Sequence, residues 1–171
     1  MDSKIVLFIF IAMITFACGQ STSDHAENQD CKYGTPEALF GAEQPGVSAH
    51  SFTAKATEAT ERVTFSNGIR HTLLQSGCNN IRQEFRFELS EVPEDAGQQF
   101  WIMRTVELLR MLSSAGPNYA AFATWADEIE QRRENIKLAE SFAIQQGFYV
   151  RIDRIRSGDN ATLVLTLSDQ P

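Results

Sequence analysis

Residues 81–89, IRQEFRFEL, constrain the fold more than any other stretch. Ile81, Phe85, Phe87 and Leu89 fall on one side of an extended chain, and Arg82, Glu84, Arg86 and Glu88 on the other. Successive strand side chains point to opposite faces, so this alternation specifies a half-buried antiparallel strand with one packed and one charged face. Upstream, ERVTFSNGIRHTLLQSG (61–77) sets Asn67-Gly68 between two apolar, β-branched runs, a strong hairpin signal.

Downstream the period changes. Pro93, Glu94 and Asp95 predict a helix start, after which Trp101, Ile102, Val106, Leu108, Leu109 and Leu112 form a broad apolar helical face. Arg104, Glu107 and Arg110 take the opposite stripe at spacings that let charges pair. Gly116-Pro117 ends this helix. A second is predicted from near Asn118, turning Tyr119, Phe122, Trp125, Ala126 and Ile129 inward. It breaks near 131–135, since a straight continuation would carry Arg132 or Arg133 into the apolar face. From Gly147 the period returns to two, with Phe148, Val150 and Ile152 against Tyr149, Arg151 and Asp153. SGDN (157–160) then turns the chain into a last strand, ATLVLTL. TPEALFG (35–41) is predicted as one helical turn, Thr35 capping and Pro36 at the first helical position. The expectation is one α+β domain over residues 31–171: an antiparallel sheet of about five strands with two helices packed on one face, in the order β-β-β-α-α-β-β.

The first thirty residues read differently. Ile5 to Phe16 is apolar except for Thr15, and about a dozen apolar residues suit a secretory signal, whereas a membrane span needs roughly twenty. Residues 1–17 are therefore expected to be a signal peptide. Ala17, Cys18 and Gly19 form a cluster of small residues in ITFACGQSTS. This arrangement resembles the lipobox of bacterial lipoproteins, with Thr15 where that box usually has Leu and Phe16 where it usually has a small or branched residue. The resemblance implies cleavage after Ala17 and diacylation of Cys18. It also implies an outer-membrane lipoprotein facing the periplasm, because Gly19 stands where Asp would mark inner-membrane retention. Ordinary cleavage after Ala17 or Gly19, leaving a secreted protein, stays open. Gly19 to Asp30 holds no aliphatic residue larger than Ala26 and reads, with Cys18, as a tether over 18–30 spanning roughly 20 Å. In an oxidising envelope Cys31 and Cys78 are then expected to form a disulfide, worth roughly 4 kcal/mol on the chain-entropy model.

The formal net charge is −7, and removing Asp2 and Lys4 with the signal leaves it unchanged. That balance argues against nucleic acid and against a basic patch for anionic lipid; membrane association is expected through the lipid anchor alone. His25, His50 and His71 form no metal-ligand spacing, and Ser76-Gly77-Cys78 lacks a nucleophile-elbow context. No metal or cofactor is expected. His71 reads as a strand histidine on a solvated face. Glu84 and Glu88, and likewise Asp127, Glu128 and Glu130, are interleaved or flanked by Arg82, Arg86, Arg132 and Arg133 and read as solvated charge. Asn160-Ala161-Thr162 matches the glycosylation sequon, a coincidence under the lipoprotein reading.

Two arrangements carry functional expectations. Arg82, Glu84, Arg86 and Glu88, joined by Arg151 and Asp153, would line the open sheet face as a mixed-charge interface. Trp101, Phe122 and Trp125 would line a pocket between helices and sheet. The first points to a non-enzymatic, inhibitor- or immunity-like envelope factor with a protein partner. The second points to a small-ligand-binding or enzymatic domain, and a structural envelope lipoprotein is the third reading.

Overall fold

The computed structural model describes residues 31–171. The signal-peptide, lipidation and tether expectations fall on 1–30, outside the described residues. Four strands come first: β1 (Val47–Lys55), β2 (Glu58–Phe65), β3 (Arg70–Gly77) and β4 (Ile81–Leu89). Helix α1 (Gln98–Ser113), a 3₁₀ turn (Pro117–Tyr119) and helix α2 (Ala120–Arg132) follow, then β5 (Ser141–Gln145), β6 (Phe148–Ser157) and β7 (Asn160–Ser168). All seven strands form one sheet in the order β1-β2-β3-β4-β7-β6-β5, antiparallel at every step.

The α+β class is as expected, but the strands number seven where about five were expected. The two strands not anticipated, β1 and β5, are the two sheet edges. An edge strand is held by backbone pairing on one side and needs no strong apolar alternation. β1, VSAHSFTAK, has little, and β5 is five residues long. The central hairpin forms as its sequence demands: Phe65 N donates to Ile69 O at 2.8 Å, and Gly68 takes φ 84°. Only glycine adopts that conformation without steric cost.

On the packed face, Phe85 and Phe87 of β4, Leu163, Leu165 and Leu167 of β7, and Val150 and Ile152 of β6 are essentially inaccessible. Trp101, Ile102, Val106, Leu108, Leu109 and Leu112 of α1 meet them, as their spacing predicts. Each large side chain so buried contributes about 1.5–3 kcal/mol before entropy is counted. Arg110 of α1 reaches Asp127 Oδ1 (2.8 Å) and Glu130 Oε2 (2.6 Å) of α2, and α2 ends at Arg132, close to the expected break. The start of α1 is a correction: it begins at Gln98, not around Pro93. Ala96 N closes a turn on Pro93 O, and Arg156 Nη1 takes the carbonyls of Pro93 and Glu94 at 3.0 and 2.9 Å.

Residues 31–46 form a strap, and the helical turn expected at 35–41 is absent. Cys31 and Cys78 are disulfide-bonded, and Tyr33 N donates to Cys78 O at 2.8 Å. Gln75 Nε2 holds Glu37 O, while the Leu39 and Phe40 amides donate to the two carboxylate oxygens of Glu61 on β2, each at 2.8 Å. Those tertiary bonds replace the i→i−4 bonds a helix would need. Phe40 packs on Phe65 of β2 and His71 of β3 and stacks on Tyr119 (5.2 Å, 5° between planes). The strap thus covers the β2–β3 part of the packed face, and the helices cover the rest.

Candidate functional site

Pairing register assembles the charged residues. Glu84 of β4 lies beside Thr166 of β7, which lies beside Arg151 of β6; Arg86, Val164 and Asp153 form the next row. On the other side, Leu74 of β3 pairs with Glu84 and Thr72 with Arg86, and Arg62 of β2 lies beside Thr72. Arg82, Glu84, Arg86, Glu88, Arg151 and Asp153 therefore share one face of the sheet, the face opposite the helices.

Glu84 is the hub. Arg82 Nη2 meets its Oε2 at 2.8 Å and Arg86 Nη2 its Oε1 at 2.6 Å. Partial burial pushes the Glu84 carboxyl up, but hydrogen bonds and charge from the two guanidinium groups outweigh it and hold the carboxyl below its ordinary range. Arg151 grips Asp153 through Nε (2.7 Å) and Nη2 (3.2 Å), and Arg70 reaches Glu88 at 2.9 Å.

The face is also hollowed. Val164 and Thr166 are 7% and 9% exposed although no helix or strap lies over them. A hollow of about 290 Å³ lies between Arg82, Glu84, Tyr149, Arg151 and Thr166, and one of about 260 Å³ between Glu58, Thr60, Leu74, Ser76 and Glu84. The Arg82–Glu84 pair is the ridge between them. A third, about 410 Å³, lies by Arg70, Glu88, Thr162 and Ile155, the last 59% exposed.

The aromatic residues are placed differently. Trp101 is fully buried with its Nε1 donating to Ala96 O, and Phe122 packs edge-on against Phe85 and Trp125. Trp125 is half-buried and stacks on Phe148. These rings fill the space between helices and sheet and line none of the principal hollows. The hollow at α1, about 570 Å³, instead lies against Leu89–Pro93, Phe100, Met103 and Arg104.

Two buried polar residues escaped the sequence reading. His71, expected on a solvated face, is 2% exposed on the packed face, opposite Val63 and Phe87. The rings of Phe40, Phe65, Phe85 and Phe87 surround it at 5.2–6.1 Å, and neither ring nitrogen has a hydrogen-bond partner among the described residues. Burial pushes its pKa down to about 4, so the neutral form stands in the core. Glu61 is completely buried and, besides the strap amides, lies 2.7 Å from His50 Nε2. Its signal was present: Glu61 shares parity with Val63 and Phe65 in ERVTF.

No helix among the described residues is long and apolar enough to cross a membrane. Comparison with protein-family models, curated proteins and solved structures finds no match to this chain.

Proposed function

We propose that this chain is an exported lipoprotein anchored through Cys18, at the outer membrane facing the periplasm, that acts without catalysis by binding another protein through its open sheet face. Its role would be that of an inhibitor or immunity factor set against an exported toxin or hydrolase. The observation that carries the reading is the convergence of Arg82, Glu84, Arg86, Glu88, Arg151 and Asp153 on one uncovered, hollowed face. Alternating signs at fixed spacing favour one registered partner and penalise others.

A photo-crosslinking residue in place of Thr72, on the open face, tests this in intact envelopes, with Glu107 on α1 as the comparison position. The same protein recovered repeatedly from Thr72 and not from Glu107 supports the reading; equal or sporadic capture at both overturns it. The anchor is tested by intact mass from native membranes, expected to equal residues 18–171 plus acyl groups. An unmodified chain beginning at Cys18 or Gln20 would mean a freely diffusing secreted protein.

A further inference from the structure

We infer that the segment received by the open face is acidic. This deepens the docking reading above and rests on it. The chain as a whole carries −7, yet the outer side of β2–β4 holds four arginines, Arg62, Arg70, Arg82 and Arg86, against three carboxylates, Glu58, Glu84 and Glu88. Arg62 and Arg86 flank Thr72 in one row, about 10 Å apart across two strand spacings. Arg62 is exposed and has no ion pair among the described residues. Arg82 and Arg86 share a single carboxylate, so donors remain on both guanidinium groups. Arg70 and Glu88 form a pair that is 64% and 56% exposed, which exchanges partners at little cost.

A carboxylate arriving between Arg62 and Arg86 therefore meets uncompensated positive charge. Neighbouring side chains of the same segment would enter the hollow floored by Leu74. A basic segment would meet the same surplus as repulsion. An anionic bilayer fits poorly, because a flat surface cannot follow a hollowed face and would press headgroups against Glu58, Glu88 and Asp153. Nucleic acid meets the same interleaved carboxylates on an acidic domain.

The probes are a labelled decapeptide of alternating Glu and Ala and its Lys counterpart, read by fluorescence anisotropy and amide shifts on the purified full chain. The Glu peptide should bind, shift amides of β2–β4, and weaken about tenfold in Arg62→Gln/Arg86→Gln, a loss of about 1.4 kcal/mol. Arg104→Gln, on α1, should leave binding unchanged, and added salt should weaken it. Stronger binding of the Lys peptide, or an unchanged affinity in the double variant, overturns the inference. So does arginine-dependent binding to phosphatidylglycerol vesicles without binding of the Glu peptide, or arginine-dependent self-association that excludes the peptide. The two levels separate cleanly. A crosslinked partner whose contact segment is basic removes the acidic chemistry and leaves the docking; Glu-peptide binding without any crosslinked partner does the reverse.

Discussion

His71 stands among four phenylalanine rings without a hydrogen bond to either nitrogen, a burial that costs stability at any pH and costs more in acid. The unfolded chain binds a proton at the ordinary histidine pKa of 6.5, whereas the native ring resists until about 4. Native stability is therefore full above the unfolded value and falls as pH drops through this window, by about 1.4 kcal/mol per pH unit. Urea midpoints at pH 7 and pH 5 should show the loss, and His71→Leu should flatten it; an undiminished slope in His71→Leu would assign the acid sensitivity to carboxylates. Glu61 gives a second expectation. Glu61→Ala strands the Leu39 and Phe40 amides at about 1–3 kcal/mol each. Hydrogen exchange at those two amides should accelerate first, with Glu61→Gln recovering part of the protection. Both residues were open to misreading because residue type assigns histidine and glutamate to the surface, whereas their parity with Val63, Phe65 and Leu73 places them inside.

At the level of elements, the strap is the one whose conformation owes nothing to local rules. Thr35-Pro36 obeys the signature of a helix start, but Glu61 and Cys78 hold the segment in another shape. Reducing and alkylating Cys31 and Cys78 should lower unfolding stability by about 4 kcal/mol, read as a drop in urea midpoint. A shift near zero would mean that the strap stays seated without its covalent tie. Arg110→Ala, which cuts the links to Asp127 and Glu130, should leave the urea midpoint nearly unchanged, because exposed ion pairs contribute little. Helices and interior strands were legible since burial of one face writes itself into the period of the sequence. The edge strands β1 and β5 were not, because one-sided backbone pairing leaves a weak imprint on side chains.

Across the whole molecule, the sheet divides labour between its faces, one filled by α1, α2 and the strap, the other left open and charged. The stripes on β4 and β6 were each visible in the sequence. That they share one face depends on β7 lying between them, and the hollows depend on residues drawn from several strands, which no local pattern records. The Cys31–Cys78 bridge has a mechanical consequence. Tension applied to the chain at or before residue 31 bypasses the strap and β1–β3 and enters at the β3–β4 connection, in the interior of the sheet. The 47-residue interval between the cysteines is then locked out of any extension. Pulled between residue 31 and the C-terminus, the oxidised protein should lengthen about 165 Å less than the reduced one, at roughly 3.5 Å per residue. Because Arg82 pairs with Ser168, the pull then acts at one end of the neighbouring strands β4 and β7 and unzips them from the middle of the sheet, whereas in the reduced chain it first reaches the strap and the edge strand β1.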